Sequence, residues 1–185
     1  MLKKTSIFIL TIMIIFLVAC NKEEADPTTN DAKNSGSDKV EIKVIDIYNN
    51  KEEKIGTAEL EEVAKGVVVE LEAEGLPPGM HGFHFHETGK CEAPTFESAG
   101  SHFNPNDAKH GTEHEEGPHA GDLPNLEVDD DGTVSVTVNA EDVSLSEDDD
   151  VSLVGTALVI HENPDDGKTQ PTGDAGDRLA CGVVE

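Results

Sequence analysis

The sequence predicts an all-β domain, a sandwich or barrel of short strands, and three observations carry that expectation. Val69-Glu70-Leu71-Glu72-Ala73-Glu74 alternates strictly between apolar and acidic residues, the period of a half-buried strand. Val134, Val136 and Val138 alternate with Ser135 and Thr137 in the same way. No window of helical length carries a 3.6-residue apolar stripe. Short alternating segments separated by Gly and Pro turns point to packed sheets.

In chain order, residues 1–19 read as a secretory leader. Lys3 and Lys4 precede an apolar run of 13 residues, Ile7 to Ala19, broken only by Thr11. A span of hydrocarbon needs about 20 residues, so the run is an export signal rather than a membrane helix. Leu17-Val18-Ala19-Cys20 resembles a bacterial lipobox. That resemblance implies cleavage before Cys20 and lipid attachment to its sulfur, giving an exported lipoprotein anchored on the outer face of the bacterial cytoplasmic membrane. Two or three acyl chains hold a protein firmly where one is marginal. Residues 20–37 are then the lipidated Cys and a polar, disordered tether with Pro, Gly and Ser.

The remaining 148 residues, 38–185, suit one domain. Besides the two alternating segments, strands are expected at Val40–Tyr48, Ile55–Leu60, Met80–Phe85, Leu153–Ile160 and Leu179–Val184. Pro77-Pro78-Gly79 and Asp130-Asp131-Gly132 are turn signals. The acidic runs Asp129–Asp131 and Glu147–Asp150 read as solvated turns. Thirteen Lys and Arg face 39 Asp and Glu, a formal charge of -26. This excludes nucleic acid as a partner and excludes electrostatic adhesion to anionic lipid, since both need a basic face.

Of three Cys, one is assigned to lipidation, leaving Cys91 and Cys181. An exported location favours a disulfide between them over two free thiols.

The eight His fall into a pattern. His84 and His86 lie at i and i+2 of a strand, so both imidazoles leave the same face. His102, His110, His119 and Asp122 follow at spacings of 8, 9 and 3, with Gly and Pro between them. His161 ends an apolar strand. Imidazoles with one carboxylate suit a divalent transition metal such as zinc or copper. Seven candidate ligands are too many for one tetrahedral ion and the right number for two ions that share one histidine. His81 is expected to be a packed, hydrogen-bonded core histidine, and His114, in an acidic stretch, to be solvated.

With these residues in view, the sequence resembles the copper/zinc superoxide dismutase family. The matching stretches are Gly79-Met80-His81-Gly82-Phe83-His84-Phe85-His86-Glu87, Ser98-Ala99-Gly100-Ser101-His102-Phe103-Asn104-Pro105, Lys109-His110-Gly111, His119-Ala120-Gly121-Asp122-Leu123, Val159-Ile160-His161-Glu162 and Gly176-Asp177-Arg178-Leu179-Ala180-Cys181-Gly182. They occur in the family's order from about Val40 to Val184. The resemblance implies a Greek-key β-sandwich or barrel of about eight antiparallel strands with long metal-binding loops. It implies copper on His84, His86, His102 and His161, and zinc on His102, His110, His119 and Asp122, with His102 as the bridge and proton carrier. It implies an intrasubunit disulfide at Cys91 and Cys181, and Arg178 as the residue that guides superoxide anion. It places Asp165 behind His84 and His110. The Cys91–His102 segment is longer than in animal members and the Asp165–Arg178 segment shorter, so the electrostatic guiding loop is reduced. Either a monomer or a homodimer fits. The other reading, a non-catalytic copper- and zinc-binding lipoprotein, has the same ligands but no use for Arg178.

Overall fold

The computed structural model describes residues 41–111 and 114–185. The leader, Cys20, the tether at 20–37 and the first residues of the 38–185 domain lie outside the described residues. Among the described residues there are nine strands and no α-helix: β1 (Ile42–Asn49), β2 (Lys54–Val63), β3 (Gly66–Ala73), β4 (Gly79–His81), β5 (Phe83–His86), β6 (Leu126–Val128), β7 (Val134–Ala140), β8 (Ala157–His161) and β9 (Arg178–Val183). Seven form one sheet in the order β5-β8-β9-β1-β2-β3-β7, and β4 pairs with β6. Every pairing of named strands is antiparallel. The chain leaves β3, forms β4 to β6 and returns as β7 beside β3, then crosses to place β8 between β5 and β9. The all-β expectation holds, with one short strand more than the expected eight.

Three local differences have physical causes. The expected strand Met80–Phe85 breaks at Gly82, so β4 and β5 pair with different partners. A Cβ at Gly82 would lie 2.9 Å from Ala175 Cβ and 3.2 Å from His84 Cε1, so the strand change needs a residue without one. Strand β6 is only three residues long and has too little alternation to be legible. The expected strand Leu153–Ile160 begins at Ala157. Before it the Thr156 hydroxyl donates to the Leu153 carbonyl (2.6 Å) and Gly155 takes a φ of 86°, so buried Leu153 belongs to a turn.

The side-chain alternation of β5 and β8 sets the site's position. Phe83 and Phe85, with Leu158 and Ile160, belong to the main core alongside Ile45, Ile47, Leu60, Val69 and Leu71. The opposite face of the same two strands carries His84, His86, Ala157, Val159 and His161, all buried beneath the loops. Strand β8 is therefore covered on both faces, which explains its unbroken apolar run. Ala157 and Val159 join Phe96, Ala99 and Cys181 in a second, smaller cluster. Both acidic runs are exposed turns.

The pair Cys91–Cys181 is bonded, with Cα atoms 5.7 Å apart, and ties the loop after β5 to β9 across 90 residues. Closing a loop of that length restricts the unfolded chain by roughly 4–5 kcal/mol. Replacing both cysteines by Ser is expected to lower the unfolding free energy by about that amount. Denaturant titration checks this, and a loss under about 1 kcal/mol contradicts it.

Candidate metal centre

Two sets of side chains converge. Ligating atoms of His84, His86, His102 and His161 lie within 4.8 Å of one another, and so do those of His102, His110, His119 and Asp122. His102 belongs to both sets. The seven residues expected from spacing are thus brought together in the two groups expected. Strand β5 supplies His84 and His86, the end of β8 supplies His161, and the loop between β5 and β6 supplies the other four. Single bridges join His84 to Asp122 and His86 to His102, holding that loop against β5.

The nitrogens facing one another want a cation. His84 Nδ1, His102 Nε2, His110 Nδ1 and His119 Nδ1 are buried without a hydrogen-bond partner. His86 Nε2 and His161 Nε2 stand 3.2 Å apart. His110 Nδ1 is 3.1 Å from Asp122 Oδ2, and His119 Nδ1 is 3.3 Å from Asp122 Oδ1. An orphaned buried polar atom costs about 1–3 kcal/mol, and two divalent ions would satisfy all of these at once. The donors fit: four imidazoles in one set, three imidazoles and a carboxylate in the other.

The outer partners fix which nitrogen is free. His84 Nε2 donates to Asp165 Oδ2 (2.6 Å) and His110 Nε2 to Asp165 Oδ1 (3.1 Å), so one carboxylate orients a ligand in each set. His86 Nδ1 donates to the Gly100 carbonyl (2.9 Å), and His161 Nδ1 lies 3.3 Å from the Gly176 carbonyl. Each of these rings thereby directs its remaining nitrogen to the cluster. Burial disfavours the imidazolium, pushing His84 down to about 4 and His161 to about 3, and lowering His86 as well. The neutral ring that burial favours is the form a metal would need. Burial also opposes charge on His110, but the Asp122 carboxylate, 3.1 Å from Nδ1, and then Asp165 raise it to about 9. Both carboxyls lie well below the usual range: burial works against this, and hydrogen bonds from His102 to Asp122 and from His110 to Asp165, with others, outweigh it.

Two supports were not legible in the sequence. Asn125 grips the Asp165 backbone at both ends, its Nδ2 donating to the carbonyl (2.8 Å) and its Oδ1 accepting from the amide (2.8 Å). Gln170 grips His110 in the same way, at 2.9 and 3.0 Å. Partners 40 and 60 residues apart leave no local pattern to read. His81 is buried, as expected. Its ring nitrogens face the His161 and Pro77 backbone carbonyls at 2.8 and 2.7 Å, so neither is offered to the two ligand sets. His114 is half-buried rather than fully solvated, its Nδ1 accepting from the Glu116 amide (3.1 Å).

Arg178 opens β9, half-buried, and donates from Nη1 to the Phe96 carbonyl and from Nη2 to the Gly100 carbonyl (2.6 Å). The Gly100 carbonyl therefore receives both Arg178 and His86. Arg178 lines a cleft of about 410 Å³ whose wall also carries Glu97, Glu162 and Asp177.

Comparison with known proteins agrees with this geometry. The sequence profile for "Copper/zinc superoxide dismutase (SODC)" matches residues 54–184. "Superoxide dismutase [Cu-Zn] 1" of Aquifex aeolicus is 54% identical over 144 residues, covering 76% of this chain and 85% of that protein. The crystal structure of a double mutant of a SOD-like protein from Bacillus subtilis superimposes with a TM-score of 0.74 at 42% identity, covering 76% of this chain and 95% of that one. The Cu/Zn superoxide dismutase from Brucella abortus gives a TM-score of 0.67 at 31% identity, covering 78% of this chain and 100% of that one. Two ligand sets sharing one imidazole, on this fold and with these relatives, place the chain in the copper/zinc superoxide dismutase family.

Proposed function

We propose that the domain dismutates superoxide, turning two superoxide ions and two protons into dioxygen and hydrogen peroxide. The observation that carries this reading is His102, common to two four-ligand sets. His84, His86, His102 and His161 would hold copper. His102, His110, His119 and Asp122 would hold zinc, whose preferences include imidazole and carboxylate together. When bound, copper supplies one-electron oxidation and reduction, and zinc supplies fixed charge without redox chemistry.

The chain's own groups do the rest. His102 turns Nδ1 toward Asp122 of the zinc set (2.9 Å) and leaves Nε2 buried without a partner on its other side. Nε2 is thus the atom that takes up a proton and returns it to the oxygen being reduced, as a positioned general acid. Asp165 and the Gly100 and Gly176 carbonyls keep the other rings in one orientation. Arg178 binds and orients the anion with a charge that no proton cycle removes. A metal store without turnover would have no use for an arginine fastened by two carbonyls beside the copper set.

His161→Ala is expected to abolish activity and release copper while zinc remains. Asp122→Ala is expected to loosen zinc first, because Asp122 belongs to one set only. Asp165→Asn is expected to weaken both metals by about 10–100-fold, since it orients a ring in each set. Metal content per chain at graded chelator concentration checks all three. Equal loss of both metals in His161→Ala and Asp122→Ala contradicts the two-site assignment.

Steering sets two charge effects against each other. From residue 38 on, nine basic residues face 35 acidic ones, a formal charge of -26 that two filled sites with one bridging imidazolate bring to roughly -23. For a body of about 19 Å radius the repulsion of an anion at its surface is about 3 kcal/mol at 0.01 M salt and about 1–1.5 kcal/mol at 0.15 M. Arg178 attracts only inside its cleft. Turnover is therefore expected to rise as salt goes from about 0.01 to 0.1 M. Arg178→Ile is expected to slow the enzyme at every salt concentration without removing copper. Pulse-radiolysis rates across that range decide it, and a steady fall with salt overturns it.

The lipobox supports anchoring of the mature chain through Cys20. Cys20→Ser is expected to move the protein from the membrane fraction to the medium or to an unprocessed precursor. Mature-size protein that still sediments with membranes overturns the anchor.

A further inference from the structure

Phe96 stands out by its backbone, its burial and its carbonyl together. Its φ of 54° and ψ of 18° lie in the left-handed region, where a bulky side chain is an outlier. Strain of this kind persists only where the surroundings over-determine the residue, and such residues cluster at functional sites. The surroundings here are plain. The ring is 1% exposed and packs in the small cluster with Ala99, Ala157, Val159 and Cys181. Ala157 and Val159 belong to β8, the strand that ends in His161, and Cys181 belongs to β9, the strand that begins with Arg178. The ring thus seats the 96–100 segment on the very strands that carry the copper-side histidine and the arginine. The Phe96 carbonyl accepts from Arg178 Nη1 and from the Ala99 amide (3.0 Å). Four residues on, the Gly100 carbonyl accepts from Arg178 Nη2 and from His86 Nδ1. One short segment therefore fixes the guanidinium at two points and shares one of them with a ligand ring.

We propose that Phe96 is a positioning residue for the dismutation: its buried ring and left-handed backbone hold the carbonyl frame that aims Arg178 at the incoming anion. Cys91, the covalent tie of the same loop, lies five positions away in sequence, so the ring is the nearer fastener. The inference rests on the reading of Arg178 given under the proposed function, and the test separates the two.

The test is a double-mutant cycle of Phe96→Leu and Arg178→Ile on the full metal-loaded protein. It is read by kcat/KM for superoxide, by azide affinity from the copper absorption band, and by copper content. Phe96→Leu is expected to lower kcat/KM and weaken azide by about tenfold each while copper stays at one per chain. In the Arg178→Ile background it is expected to change neither further, because residues acting through one group are not additive. Phe96→Met, whose unbranched, adaptable chain reaches further along the ring's site, is expected to fall between Leu and wild type, and it replaces Leu in the cycle if Phe96→Leu does not fold. Additive losses, or wild-type azide affinity in Phe96→Leu beside a weakened Arg178→Ile, overturn the role of the ring alone. An Arg178→Ile protein with unchanged rate and azide affinity overturns the reading of Arg178, and this proposal with it.

Discussion

Four buried imidazole nitrogens without a hydrogen-bond partner are the constraint on which the arrangement of the site depends. In an ordinary interior they would be satisfied by a carbonyl, a hydroxyl or water, and each left unmet is a cost. Here the outer nitrogens of His84, His110, His86 and His161 are already taken, by Asp165, Gly100 and Gly176. What remains points inward at other lone pairs. Only a positive centre relieves such a cluster. Asp122 and Asp165 on either side of the His110 ring favour positive charge there for the same reason. The copper and zinc of this family would supply that charge, held by the residues of the two sets.

Charge works on two scales. The domain as a whole repels an anion, and the acidic wall of the arginine cleft adds to that repulsion. Inside, a single guanidinium fixed by carbonyls attracts at short range, where the effective dielectric is lower. Rigidity matters more for one charge than for many. A mobile arginine in so acidic a surrounding would find a carboxylate partner. One fastened to the Phe96 and Gly100 carbonyls is held in one place, which the role proposed for it with the anion requires.

Much of the site was legible because its chemistry is confined to rare residue types at strand and loop spacings. His84 and His86 share a face by the period of two, and six histidines with Asp122 sum to two sites. The disulfide was legible from the count of cysteines. Asn125 and Gln170 were not, because both act through backbone groups of residues far along the chain, and an Asn or Gln in a loop carries no mark of its partner. The fold was legible where alternation was long, in β3 and β7, and failed where a strand is three residues, in β6, or where a buried turn imitates a strand, at Leu153. Met80–Phe85 reads as one strand because it is a short run of apolar and histidine residues with no turn signal inside it, but the apolar phase shifts at Gly82, where a close approach in space ends the first strand.

That break at Gly82 shows how core and centre are kept apart. On β5 and β8 the pleat sends Phe83, Phe85, Leu158 and Ile160 one way and His84, His86, Val159 and His161 the other. The apolar residues assemble a core that contains no metal ligand, so the domain's packing and its chemistry draw on different faces of the same strands. By turning at a residue with no side chain, the chain lets β4 pair with β6 and β5 with β8. It also leaves room for Ala175, beside the carbonyl that holds His161, to sit close to Gly82. The ligand geometry is thus a consequence of where one sheet stops and the next begins.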